Sequence, residues 1–126
     1  MKQHAPLLQT LPKNRIKEIV SSFYDVVFND VLIGHFFVNT DKNELVGQQV
    51  DFLIGIFGGP KNYQGRKLDQ VHRSFSIKNV HFDRRQVILK DILEQHFDQK
   101  DPMIEQWLAL ENRFRKLIVN DNAGCR

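Results

Sequence analysis

The chain has 126 residues, the length of one domain, and can bury roughly two thirds of its unfolded surface in a single core. Apolar residues make up 41% and charged residues 26%, which excludes a disordered polyelectrolyte, and no apolar run approaches the roughly 18 residues of a membrane helix. One cysteine, Cys125, excludes a disulfide framework and a Cys-rich metal site, and a net charge of +3 permits an anionic partner without demanding one.

Residues 1–12, beginning Met1-Lys2-Gln3-His4-Ala5-Pro6, read as a loose tail or a short extra helix. They lack the apolar core and small-residue cleavage site of a secretory signal, so a cytoplasmic location is expected. From Lys13 to Phe28 the apolar residues Ile16, Ile19, Val20, Phe23, Val26 and Val27 recur at helical spacing. A shorter turn over Val31 to Phe37 leads into the apolar cluster Phe36-Phe37-Val38. Asp41 is placed to cap the next helix, with Glu44 three residues on, and Gly58-Gly59-Pro60 to stop it. After a loop over Lys61 to Gly65, Leu68, Val71, His72 and Phe75 form a short amphipathic piece.

A helix is expected from about Asp83 to Phe97, on Val87, Ile88, Ile92 and Leu93. Asp101-Pro102 predicts the start of another, running to about Asn120 on Ile104, Trp107, Leu108, Phe114, Leu117 and Ile118. The prediction is one all-α domain over residues 13–120, with a tail at 121–126.

Phosphate-binding glycine loops, dinucleotide fingerprints, His-Glu-x-x-His pairs and Gly-x-Ser-x-Gly elbows are absent. The informative residues are therefore polar groups within apolar stripes. Gln49 shares a helix face with Leu45, Phe52 and Ile56, so its amide either reaches water at the stripe's edge or finds partners inside. Tyr24 is either a boundary residue or a buried ring whose hydroxyl needs a partner. His72 is either a satisfied core histidine or a metal ligand.

Taken in order, Ser22-Phe23-Tyr24, Phe36-Phe37, Leu45-x-x-x-Gln49-Val50-x-Phe52, Gly58-Gly59-Pro60-x-x-Tyr63-x-Gly65 and Val71-His72 resemble the truncated haemoglobins, closest to group I. The resemblance spans about residues 15 to 118. It implies a globin-like two-over-two helical sandwich around a non-covalent haem b. It makes His72 the proximal iron ligand, Phe37 the ring stacked on the porphyrin, and Tyr24 and Gln49 the distal hydrogen-bond donors, with Leu45 where many globins carry a histidine.

A haem slot needs an apolar wall, one imidazole and few polar groups. Leu45, Phe52, Leu68, Phe75, Ile77 and Phe82 can supply much of that wall. Between residues 61 and 78 five basic residues face only Asp69. Of these, Arg66, Lys67, Arg73 and Lys78 are candidate partners for the haem propionates.

Three features depart from the family. The segment before Phe23 lacks paired glycines, so the first helix is expected to be very short. Gln48 stands where some relatives place an iron-coordinating histidine. No Cys-x-x-Cys-His, and no histidine beyond Pro102, supports covalent haem attachment.

The expected function is binding of oxygen, nitric oxide and carbon monoxide at ferrous iron by a monomer. Conversion of nitric oxide to nitrate, with an external reductase, is the most concrete activity. A gas sensor or oxygen carrier with the same pocket is the alternative, and a cofactor-free basic helical module the third. Neither a nucleic acid nor a membrane is an expected partner.

Overall fold

The computed structural model describes residues 6–58 and 77–119. Among these there are only helices and turns. A 3-10 turn at Pro6–Thr10 leads into α1 (Lys13–Val27), and a second at Gly34–Phe37 precedes α2 (Lys42–Gly58). Beyond lie α3 (Asn79–His96), α4 (Pro102–Asn112) and the single turn α5 (Arg115–Ile118). The N-terminal segment forms the short helix rather than a loose tail: Leu8 is fully buried, and its turn packs on α2 and α4.

α1 packs on both α2 and α3, and α3 packs on α4. The pairs meet over one apolar core, where Ile16, Ile19, Val20, Phe23 and Val27 of α1 face Val46, Val50, Leu53 and Phe57 of α2. From the other side come Ile88, Leu89, Ile92 and Leu93 of α3 with Ile104, Trp107 and Leu110 of α4. The Phe57 and Trp107 rings meet edge to face, their centroids 5.2 Å apart. Arg15 fastens the start of α1 to the end of α3, donating to the His96 carbonyl at 2.6 Å and lying over the Phe97 ring. That carbonyl belongs to a helix's last turn, where no intrahelical donor is available.

The turn between α1 and α2 is set by Asp30 and Gly34. One Asp30 carboxylate oxygen accepts from the backbone N–H groups of Leu32 and Ile33, and its carbonyl accepts from Gly34 at 2.8 Å. A Cβ at Gly34 would lie 2.8 Å from the Phe28 carbonyl oxygen, so the chain can turn this tightly only with glycine there. Asp41 caps α2 as expected, accepting from the Glu44 N–H at 3.1 Å.

Three expectations are corrected. α3 begins at Asn79, four residues before the predicted start, because the extended Lys78 acts as its N-cap and the Lys78 N–H donates to His81 Nδ1 at 3.0 Å. The predicted helix to Asn120 is broken: Phe114 adopts φ −94°, ψ 2°, and Val119 is extended. The break brings the Phe114 ring against Phe52 at 5.5 Å and lets Arg115 reach Asp83 at 2.9 Å. Val26, Val38 and Val87 are exposed, so the buried stripes are narrower than periodicity suggests.

Candidate functional site

α2 presents two apolar faces with different fates. Val46, Val50, Leu53 and Phe57 are buried in the core, while Leu45, Gln49 and Phe52 are half-buried. The predicted Leu45, Gln49, Phe52 and Ile56 face is therefore split, since only Ile56 is fully buried. One turn of helix is 3.6 residues, so a residue and its sequence neighbour lie about 100° apart and can serve different environments.

Gln49 meets Tyr24 at a small cavity between α1, α2, α3 and α4. The walls are Ile19, Val20, Phe23, Leu53, Leu89 and Trp107, and the polar groups are Tyr24, Gln49, Arg85 and Glu111. Tyr24 is buried among Phe23, Phe28 and Phe37, each meeting its ring edge-on. Phe37 is half-buried and stacks on Phe28, with centroids 5.1 Å apart and planes 22° apart. The structure thus brings Tyr24, Gln49 and Phe37 together from three elements.

Burial pushes the Tyr24 hydroxyl up to about 12, with the Glu111 charge adding to the rise and Arg85 opposing it. Tyr24 is therefore a neutral donor at neutral pH. Arg85 lines the same cavity as Tyr24. Its Nη2 donates to Glu111 Oε1 at 2.6 Å, and the other Glu111 oxygen accepts from Trp107 Nε1 at 2.9 Å. Arg85 Nη1 donates to Gln86, whose amide donates to the Leu108 carbonyl. The guanidinium lies 5.0 Å from the centroid of the Phe23 ring. Burial alone would lower the Arg85 pKa, but the Glu111 carboxylate and Tyr24 outweigh it and keep the group cationic.

Arg85, Glu111 and Trp107 were not among the predicted site residues, although a signal existed. Phe82, Arg85, Leu89 and Ile92 follow helical spacing, which places an arginine within an apolar stripe. With the helix expected to start at Asp83, Arg85 fell in an entry turn that reads as solvated. Trp107 and Glu111 are four apart on α4, the spacing that brings side chains together.

Ile77 and Phe82 are both buried. Phe82 lies under the Arg115 guanidinium, 4.5 Å from its ring centroid. Phe52 packs on Phe114, and Leu45 is half-buried. The predicted residues His72, Arg66, Leu68 and Phe75, with Lys67 and Arg73, lie outside the described residues. His81, the other histidine near His72 in sequence, uses Nδ1 to accept the Lys78 N–H and sets its ring edge-on to Phe36 at 5.0 Å. It has a structural task at the start of α3.

These residues fit a haem. A half-buried apolar face on α2, an aromatic stack at Phe37 and two neutral donors at one cavity supply what a porphyrin wall and its ligand side require.

A profile of the bacterial-like globin family matches residues 12–120. The group 1 truncated haemoglobin of Tetrahymena pyriformis is 39% identical over 71 residues, 56% of this chain and 59% of that protein. GlbN, the group 1 truncated haemoglobin of Mycolicibacterium paratuberculosis, is 37% identical over 67 residues, 53% of this chain and 49% of that one. The matches thus span about half to three fifths of these relatives. The crystal structure of the Tetrahymena pyriformis protein in its Fe(III) form superposes with a TM-score of 0.74 at 31% identity, covering 86% of this chain and 92% of that one. A tyrosine-to-phenylalanine variant of the same protein gives a TM-score of 0.78 at 28% identity over 94% of this chain and all of that one. The all-helical architecture is that of a truncated globin, and the chain belongs to the bacterial-like globin family, whose members hold a non-covalent haem b.

Proposed function

We propose that this chain binds diatomic gases at a haem b ligated by His72, with Phe37 against the porphyrin and Tyr24 and Gln49 as hydrogen-bond donors toward the ligand. The observation that carries the reading is the meeting of Tyr24 and Gln49 at one cavity beside Phe37. When bound, the haem supplies a ferrous iron able to take oxygen, nitric oxide or carbon monoxide. Leu45, Phe52, Leu68, Phe75, Ile77 and Phe82 form the apolar surround, and Arg66 leads the candidates for the propionates.

Tyr24 is kept protonated by burial, so its O–H and the Gln49 N–H can be aimed where negative charge develops. This suits the conversion of nitric oxide, oxygen and one electron to nitrate, the electron coming from an external reductase. The chain is read as a cytoplasmic monomer. Among the described residues no helix is long and apolar enough to cross a membrane.

Titrating the apoprotein with haemin tests the reading and should give a saturating Soret band at one equivalent. A band that grows only as free haemin does would overturn it. His72→Ala should abolish the histidine-ligated spectrum, with partial recovery on adding imidazole, while His81→Ala leaves it unchanged. Nitrate formed stoichiometrically from nitric oxide, and repeatedly once a reductase is supplied, would establish the activity; ligand exchange without nitrate would leave a carrier or sensor.

A further inference from the structure

We propose that His81 is a positioning residue for the haem: its Nδ1 fixes Lys78 at the entrance of α3 while its ring holds Phe36, so that one side chain ties Ile77 and Phe82 to the turn that carries Phe37. The inference rests on the reading of Phe37, Ile77 and Phe82 as haem contacts.

Two hydrogen bonds between the same two residues close the entrance of α3. The Lys78 N–H donates to His81 Nδ1 at 3.0 Å, and the His81 N–H donates to the Lys78 carbonyl at 3.0 Å. A neutral imidazole has one N–H and one acceptor nitrogen, so an accepting Nδ1 puts the ring proton on Nε2. A lysine at the N-cap has no side-chain acceptor to offer the first turn. The imidazole three residues on takes the part that Glu or Gln plays in an ordinary capping box. Ile77, directly before Lys78, and Phe82, directly after His81, are both buried, so the reciprocal pair sets where these two apolar side chains leave the backbone.

The other end of the clasp is Phe36. Its ring meets that of His81 edge-on, with centroids 5.0 Å apart and planes at 81°, and His35 lies beside it at 4.1 Å. Phe36 and Phe37 are neighbours in one 3-10 turn, where successive side chains point about 120° apart. Phe36 therefore faces α3 while Phe37 lies against Phe28 and Tyr24. Arg84, further along α3, also reaches the connection between α1 and α2 through Asp30, but from the exposed side. His81 is the half-buried link.

Transfer of haem from the ferric protein to an excess of an acceptor apoglobin tests the clasp. His81→Ala should keep the histidine-ligated spectrum yet lose haem about tenfold faster, the sum of one lost cap and one lost ring contact. His81→Gln keeps an acceptor at the capping position without the ring, and His81→Phe keeps a ring without the acceptor. Each should lose haem about threefold faster. Asp101→Ala removes the cap of α4, a destabilisation of the same kind away from this entrance, and should change the rate by less than about twofold. His81→Ala losing haem no faster than Asp101→Ala would overturn the positioning role. So would His81→Gln as fast as His81→Ala, or His81→Phe as slow as the unsubstituted protein, because Nδ1 would then have no part in holding haem.

The ring tautomer gives a second readout that does not depend on how the variants fold. Two-bond proton–nitrogen correlation on the carbon monoxide form, in mildly alkaline solution, should show His81 protonated at Nε2 alone. A proton on Nδ1 would overturn the clasp. A chain that takes up no haemin would overturn the haem reading and this proposal with it, whereas normal uptake with equal loss rates in all four variants would overturn the proposal alone.

Discussion

Arg84 and Arg85 are neighbours on α3 and spend the same guanidinium in different ways. Arg84 reaches out to Asp30 at the turn before α2, its Nε and Nη2 donating to one carboxylate oxygen at 2.9 and 2.7 Å, with its side chain 42% exposed. Arg85 reaches inward to Glu111 at the cavity that Tyr24 also lines, between aromatic rings and out of most water. Arg84 can exchange its partner for bulk water, and the Asp30 carboxylate, only 4% exposed, still accepts from the Leu32 and Ile33 N–H groups without it, so the net contribution of the ion pair is small. The inner one has no substitute, so removing either end leaves a charge stranded.

Breaking the inner pair should therefore have the largest effect. Arg85→Met leaves the Glu111 carboxylate without its cation, and we expect a loss of about 2 to 3 kcal/mol in denaturant unfolding, below the usual range for a fully buried pair because some water reaches the site. Arg85→Met/Glu111→Leu should recover more than half of that loss, since no charge is then stranded. A single variant as stable as the unsubstituted protein would mean that the pair is solvated after all.

Tyr24 reports on the same interior through pH. Its folded pKa, about 12, lies above the ordinary 10.0, so the folded chain holds this proton more tightly. The stability linked to it is fully present below about pH 10 and is lost as pH rises toward 12. A tenfold change in proton affinity is worth about 1.4 kcal/mol, so the contribution is at most about 3 kcal/mol. Tyr24→Phe should flatten the alkaline limb of the stability curve by that amount. An unchanged limb would place the hydroxyl in water.

What could be read from sequence follows the same division. The stripes of α1 and α4 were legible because apolar residues at helical spacing have one main use, burial against a neighbour. Asp41 and Asp101 were legible as caps because a carboxylate before a helical run meets unpaired N–H groups; Asp101 accepts from Met103 at 2.9 Å. The start of α3 was not, since a lysine and a histidine are not residues that commonly open a helix. Nor was the break at Phe114, which depends on a ring contact with Phe52, 62 residues away in the chain. Tyr24 and Gln49 stood out as polar residues in apolar stripes, whereas Arg85 did not, because a helix expected only from about Asp83 leaves out Phe82, the start of the stripe that Arg85 shares, and α3 begins at Asn79.

On the outer side, the tight turn depends on backbone approach more than on the ion pair. Gly34→Ala would press a methyl to 2.8 Å from the Phe28 carbonyl oxygen and 3.3 Å from that of Val27. Both are backbone atoms with little room to move. We expect a loss of about 1 to 2 kcal/mol, with Phe37 displaced from Phe28 and a weakened hold on haem. A neutral substitution would show that the turn can open without cost.

Asp30→Asn should have the smallest effect and shows why the outer arginine matters less. The Arg84 hydrogen bonds hold the Asp30 carboxyl below its ordinary range, against the opposing effect of burial and with help from the Leu32 and Ile33 N–H groups. A depressed pKa means that the linked stability is present above the unfolded value of 3.8 and fades as pH falls through the lower folded value. Near neutrality the single amide oxygen can keep the Leu32 and Ile33 N–H groups while Arg84, 42% exposed, turns to water, so the melting temperature should move by only ~2 °C. Below the ordinary carboxylate range the two proteins should converge, because the unsubstituted Asp30 is losing the same charge. A difference that instead grows with acid would assign the pH dependence to another carboxylate and leave Arg84 as a spectator beside its inward-facing neighbour.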